Sequence, residues 1–448
     1  MTIFSLKLAL EKVLPSMLWK PLKMVLTKIY LSCLPYLGPY YNFVRWRYKR
    51  IVKIFQQKKT LKVVFFIIHE SIWKYEGIYT LMEKDERFDP VLIVCPYTDY
   101  GQETVLREME QTYASFKQKG YKVLKTFNCD ENKWLDVKKE VKPDLIFFSS
   151  PWQITKNKYY ILNYLNYLTY YVPYGICAVN QQQTQFNQLF HNLVWASFYE
   201  TPIHKLMARK YAVNKGKNVF VYGYPMCDIF IDKSYKPKDG WKVKNASAKR
   251  IIWAPHHSIE DNPNEMRYSN FLVLHQFMYD LIKIYSGKIQ IAFKPHPILK
   301  PKLYEHPDWG KERTDNYYCA WQNCDYGQLE EGLYEDLFLT SDAMILDSIS
   351  FISEYLCLNK PIIFVTRDET INSEFNEFGE LAFKMMYKAN NQKDLINFVE
   401  ETIFAGQDPL FNERKLFVEK LLTPPNNMSA SENIMYHIKK ELLHEVHI

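Results

Sequence analysis

The sequence predicts an α/β protein of two doubly wound, Rossmann-like domains behind a basic amphipathic helical N-terminal extension. Three observations carry that prediction. Short apolar runs alternate with helix-length stretches from Leu61 onward, the pattern of a mostly parallel sheet. Residues 232–249 lose apolar periodicity and collect lysine, proline and glycine, which marks a boundary between two such series. The first 58 residues differ from both in charge and proline content. At 448 residues and 47% apolar composition, the chain is long enough for two cores. The expected division is 1–58, 61–231 and 250–448.

Taken in order, residues 1–60 carry 12 Lys/Arg against the single acid Glu11. The whole chain sums to +7, so the rest is slightly acidic. A basic tail on an acidic body suits one anionic surface and argues against nucleic-acid binding across the protein. Lys7, Lys12, Lys20, Lys23 and Lys28 interrupt every apolar run, and Pro15, Pro21, Pro35 and Pro39 break the segment into short helices. No stretch approaches the ~20 apolar residues that cross a bilayer, and no compact apolar core precedes a small-residue cleavage site. Val44, Tyr48, Ile51, Val52 and Phe55 share one helical face, with Arg45, Lys49, Arg50 and Lys53 around the others. This face reads as an interfacial anchor on the anionic cytoplasmic leaflet, with a hairpin packed on its own domain as the competing reading.

In the first domain, strands are expected at 61–68, 91–97, 121–124, 144–150, 170–176 and 219–225, and helices at 103–120 and 132–141. The second series opens with a strand at 251–255, then a helix over 265–285 and a strand over 289–293. Residues 300–340 are less regular. Ala343–Leu346 and Pro361–Val365 read as buried strands flanking a helix over 348–358. Its hydroxyl-rich start would present free N–H groups to a phosphate. The last ~60 residues read as amphipathic helices.

In a doubly wound sheet, ligands sit beyond the carboxyl ends of the strands. The chemistry-bearing residues at those ends are His256, His257, Lys294, His296, Asp347, Ser348 and Ser350 in the second domain. In the first they are His69, Tyr174 and Gly175. Neighbouring histidines on an extended chain point to opposite sides, so His256-His257 is read as no metal pair, and no Cys/His cluster or HExxH is present. The eight cysteines fall in no paired spacing and read as reduced core residues of a cytoplasmic protein. P-loop and GxGxxG fingerprints are absent.

The succession Trp253-Ala254-Pro255-His256-His257, Phe293-Lys294-Pro295-His296-Pro297 and Ser341 through Leu356 resembles the CDP-glycerol glycerophosphotransferase family. Gly223-Tyr224-Pro225 with Asp228 is similar to that family's element before its second domain. The resemblance is clearest over 219–370. It implies a two-lobed GT-B fold, peripheral membrane attachment, and transfer of an alditol phosphate from a CDP-activated donor with release of CMP. It implies no cofactor or metal. It places His296 near the donor phosphates and Ser350 at the pyrophosphate site, with Asp347 before it. One turn into the following helix, Glu354 is read as accepting from ribose hydroxyls. Two positions depart from the pattern: Tyr174-Gly175 stands where the family has His-Gly, and Ile349 replaces the first serine of a pair. A tyrosine of pKa ~10 is a weak base at neutral pH, which leaves His69 as the substitute base.

The leading expectation is therefore a membrane-peripheral transferase acting on a polysaccharide or lipid-linked acceptor. Two alternatives stand beside it: a sugar transferase using a nucleotide-sugar, and a non-catalytic assembly factor on the membrane.

Overall fold

The computed structural model describes residues 32–98, 102–244, 247–260, 267–368 and 371–443, together with Val25 and Ile29. Most of the N-terminal 31 residues, and with them much of the expected basic anchor, lie outside the described residues. Helix α1 (Gly38–Phe55) is described in full, with Pro39 in its first turn. It buries Tyr41, Val44, Tyr48, Val52 and Phe55. Tyr48 packs edge-on against Trp195 at 5.5 Å and meets the Thr169 hydroxyl at 3.3 Å. The face expected to enter a membrane is thus largely buried in the first lobe. An amphipathic stripe does not encode which apolar surface it meets, and here its own sheet covers it.

Seven parallel strands form the first sheet. They are β1 (Leu61–Ile67), β2 (Phe88–Val94), β3 (Val123–Lys125), β4 (Leu145–Phe148), β5 (Leu168–Tyr171), β6 (Ala196–Tyr199) and β7 (Val219–Val221). Their spatial order is β3-β2-β1-β4-β5-β6-β7. The second sheet holds β8 (Lys249–Ala254), β9 (Ile289–Phe293), β10 (Gly327–Leu329), β11 (Ala343–Leu346), β12 (Ile362–Val365) and β13 (Tyr387–Ala389). Its order is β10-β9-β8-β11-β12-β13, again all parallel. The strand order reverses between β1 and β4, and between β8 and β11. At each reversal the crossovers leave to opposite faces and open a crevice.

Near-continuous apolar runs suit strands covered on both faces. In the second sheet Ile252, Ala254, Met344, Leu346, Ile362 and Phe364 join the core that continues into the first lobe. Their alternate neighbours Ile251, Trp253, Ile291, Phe293, Ile345 and Ile363 fill a second core. Strand periodicity of two therefore ties the lobes together.

Several expected elements are redrawn. The helix over 132–141 is a short β-hairpin, Phe127–Asn128 with Lys133–Trp134, followed by a single wide turn Val137–Val141. The irregular stretch over 300–340 contains helices Leu299–Glu305, Gly310–Asn323 and Glu335–Thr340. The middle one buries Thr314, Tyr318 and Trp321, a stripe with too little aliphatic character to stand out in sequence. The chain's last helix, Ala430–Leu443, packs on helix Glu76–Glu83 of the first lobe rather than on the second sheet.

Candidate active site

Strands β8, β9 and β11 are neighbours at the second reversal point, and each ends on candidate site residues. At β8 the chain leaves the extended conformation after Ala254 and bends at His257, where the Ile259 N–H donates back to the His257 carbonyl at 3.0 Å. The bend overturns the expectation that adjacent histidines diverge. The rings of His256 and His257 lie 4.2 Å apart, and His296 from the end of β9 stands 4.4 Å from His257 and 5.3 Å from His256. One nitrogen from each lies within 4.8 Å of the others.

Burial holds all three imidazoles neutral. His256 is pushed down to about 2 and His296 to about 4, with the neighbouring rings and Lys302 adding to the effect, and His257 is lowered too. The backbone sets the tautomers. The Ser258 N–H donates to Nδ1 of His256 at 3.2 Å, and the Ser258 hydroxyl, which accepts from the Tyr268 and Ser269 N–H groups, has its own proton for the same nitrogen at 2.8 Å; the Ile298 N–H donates to Nδ1 of His296 at 3.2 Å. A neutral imidazole whose Nδ1 accepts carries its proton on Nε2. Ligating histidines normally donate from the nitrogen that does not touch the metal, the opposite arrangement. The trio is spaced closely enough to hold a transition metal, but the hydrogen bonding of His256 and His296 favours an oxyanion that accepts N–H bonds.

Asp347, directly after β11, accepts from the His256 N–H at 2.6 Å and the Asn270 N–H at 2.5 Å. It is fully buried, and burial pushes its carboxyl up to about 7. Asp347 thus fastens the histidine loop to β11. Ser348 is buried and its hydroxyl accepts from the Ser350 N–H at 3.2 Å, while Ser350 itself is exposed. The helix expected from 348 begins later and is short, Ile352–Leu356. The hydroxyls therefore sit in a turn ahead of it, and five residues supply little helix dipole. Lys294 corrects another expectation. Its ammonium is buried and donates to the Gly332 carbonyl at 2.8 Å, so it points along the loop after β10 rather than toward the histidines.

The first-lobe candidates divide. His69 is partly buried beside Tyr97, with ring centroids 5.3 Å apart. Among the described residues no contact joins it to the histidine trio, and Glu70 turns away to Ser115 and Lys119. Tyr174, 48% exposed, leans on Trp152, and its carbonyl accepts from the Tyr224 hydroxyl at 3.1 Å. A Cβ at Gly175 would meet open space, so no close backbone approach demands glycine there.

Sequence reasoning missed Lys74 and Glu200. Lys74 is buried and donates to the Ser149 carbonyl at 2.7 Å, with its ammonium 5.8 Å from the Tyr174 ring centre. Glu200 directly follows β6, and among the described residues both of its buried oxygens lack a hydrogen-bond partner. Burial drives it up to about 8, with the charge of Glu354 from the other lobe adding to the rise. Glu354, read from sequence as a ribose contact, is itself buried and pushed up to about 7. The usable signal was a carboxylate directly after an apolar strand, a position whose side chain the fold must bury.

Solved structures resemble this fold closely in extent though not in sequence. A UDP co-structure of MnaA from S. aureus superposes with a TM-score of 0.55 at 16% identity, covering 86% of this chain and 98% of that one. The wall teichoic acid polymerase TagF, in a variant form, gives 0.53 at 12% identity, covering 92% and 97%. A UDP-N-acetylglucosamine 2-epimerase gives 0.52 at 13%, covering 87% and 98%. At such identities the likeness shows the two-lobed, GT-B-like fold alone. No curated protein sequence matches the chain. A sequence profile does, over residues 178–435 and more than half of the chain: it is that of the CDP-glycerol:poly(glycerophosphate) glycerophosphotransferases, the family to which this protein belongs.

Proposed function

We propose that the protein moves an alditol phosphate, glycerol phosphate or a close relative, from a CDP-activated donor to a hydroxyl of a cell-surface polysaccharide or lipid-linked acceptor, releasing CMP. The observation that carries this reading is the neutral histidine trio at the β8/β11 reversal. Two Nε2–H groups set by backbone hydrogen bonds offer preorganised donors where charge develops on the departing CMP. The acceptor oxygen attacks the alditol-bearing phosphorus as the bond to CMP breaks. Ser350 and the turn around it complete the phosphate cradle.

The test is a product assay with purified protein and a panel of CDP- and UDP-activated donors. CMP release from CDP-glycerol or CDP-ribitol is expected. Release of UDP alone would give the site to a sugar transferase, and release of neither would leave the assembly-factor reading. His296→Ala is expected to lower kcat by ~10²–10³-fold, the cost of one lost donor to a developing oxyanion.

The same reading places the protein on the inner face of the cell membrane, through the exposed aromatic and arginine side of α1 rather than its apolar stripe. Tyr36, Tyr40, Phe43, Trp46 and Ile54 are exposed along one side of α1 and the turn before it. The Arg50 guanidinium stacks 3.9 Å from the Trp46 ring, and Arg47 lies over Phe43. Aromatic rings interleaved with arginine suit the headgroup level of an anionic leaflet. Among the described residues no helix is long and apolar enough to cross a membrane. Cosedimentation with vesicles containing phosphatidylglycerol should fall in a Trp46→Ala/Arg50→Glu variant, and an unchanged bound fraction would remove this surface from the reading.

A further inference from the structure

A buried carboxyl group ordinarily has its oxygens satisfied, because an unmet acceptor in a low-dielectric interior keeps its full desolvation penalty. Glu200 breaks that rule twice over. It is 3% exposed, and among the described residues neither oxygen makes a hydrogen bond, though its own backbone N–H stands close enough to favour the ionised form. The side chain that approaches it is His204, whose Nδ1 lies 3.5 Å from Oε2. That imidazole has nothing to give. Its Nε2 faces the Cys177 carbonyl at 2.9 Å, an acceptor only, so Nε2 holds the proton. Its Nδ1 is then left to accept from the Thr201 hydroxyl at 2.8 Å. Lys74 is close enough to act on Glu200 through its field, yet its ammonium is bonded to the Ser149 carbonyl.

The carboxyl also sits in a telling place. It follows β6 at the carboxyl edge of the first sheet, as Ser149 follows β4 and Tyr174 follows β5. The titratable groups whose fields reach it are Lys74, Tyr171, Cys177, Tyr199 and Tyr224 from the first lobe and Glu354 from the second. It therefore faces the seam where the lobes meet, within the field of Lys74, whose ammonium lies 5.8 Å from the Tyr174 ring centre.

We propose that Glu200 binds the acceptor hydroxyl and removes its proton, an assignment that rests on the transferase reading above. The acceptor O–H supplies the donor the carboxylate lacks. As the oxygen forms its bond to the donor phosphorus, the O–H bond breaks and the proton passes to Glu200. The phosphorus–oxygen bond to CMP breaks with its electron pair, and CMP leaves as the anion held by the histidine N–H groups. Lys74, pulled well below the usual lysine range by burial and raised in turn by the charge of Glu200, is a positioning residue whose protonated form favours the ionised carboxylate, while Glu354 opposes it. Glu200 is raised to about 8 by burial, so a base of this kind gains ionised fraction through neutral pH.

The test is Glu200→Gln, which keeps shape and removes the base. With a short glycerol-phosphate oligomer as acceptor probe and CDP-glycerol as donor, kcat is expected to fall ~10²–10⁴-fold. CMP affinity by calorimetry and the melting temperature should stay close to wild type. Lys74→Gln provides the second arm: loss of the nearby cation should move the rising limb of the pH–kcat profile to higher pH. Glu200→Gln activity within threefold of wild type, or an unmoved limb in Lys74→Gln, overturns the assignment. Should the wild type bind CDP-glycerol but release no CMP, the transferase reading fails separately. Binding of the oligomer then decides Glu200: weakening of at least fivefold in Glu200→Gln keeps it as the acceptor-hydroxyl ligand, and equal binding overturns it.

Discussion

A histidine's chemistry here depends on what its second nitrogen does. His296 and His256 have Nδ1 occupied by backbone N–H groups two residues ahead, so both reach pH 7 as neutral donors. This has a consequence for stability. A group whose folded pKa lies below its unfolded ~6.5 binds fewer protons folded than unfolded in the window between the two values, so stability rises with pH there. For His296 that window runs from about 4 to ~6.5. Its contribution is fully present above ~6.5 and is lost as pH falls toward 4, on the order of 2 kcal/mol. Melting temperatures measured from pH 7.5 to 4.5 should fall less steeply in His296→Asn than in wild type, and parallel curves would show that His296 titrates alike in both states. Lys294 and Glu354 teach a different lesson at this scale. Lys294 was legible as a polar residue at a strand end and Glu354 as one a turn into the next helix, but only the folded chain shows the lysine bonded to Gly332 and the glutamate buried at the seam.

At the level of elements, Asp228 explains why an acid closes the Gly223-Tyr224-Pro225 stretch. Its carboxylate accepts from the Ala430 and Ser431 N–H groups at 2.7 and 2.9 Å, capping the last helix at its positive end. Asp228→Ala should therefore cost about 1–2 kcal/mol in urea unfolding. Gly223 belongs to the same joint. It sits at φ +89, and a Cβ there would stand 2.8 Å from the Pro424 ring, so both conformation and space call for glycine. Strands proved more legible than helices. Apolar runs such as 289–293 and 343–346 match β9 and β11 residue for residue, because a strand buried on both faces needs no partner information to be recognised. The helix after β11 starts four residues later than hydroxyl content suggests, since Ser348 spends its oxygen on the Ser350 N–H in a turn.

The whole molecule is held as two lobes by a seam that no local pattern announces. Asn376 donates from Nδ2 to the Cys177 carbonyl at 2.7 Å, and its N–H meets the Ala178 carbonyl at 3.0 Å. Val179 and Phe375 form an isolated antiparallel bridge beside it. Gly379 packs so closely that a Cβ would fall 2.0 Å from the Ala178 carbonyl oxygen. Gly379→Ala should open this seam, at a cost of about 1–3 kcal/mol, with a larger radius of gyration by small-angle scattering. A variant of wild-type stability and dimensions would mean the seam adapts.

The sequence by itself determined the two doubly wound units, the histidines at the ends of β8 and β9, and the family, because alternating apolar runs and short ordered motifs are local properties of the chain. Tertiary structure alone decided that α1 turns its apolar face inward and its arginine-aromatic face outward, that Lys294 is tied to a loop, and that Glu200 stands buried without a side-chain donor among the described residues. Each of these depends on which distant surface arrives to cover a side chain, and no local spacing of residues records that arrival.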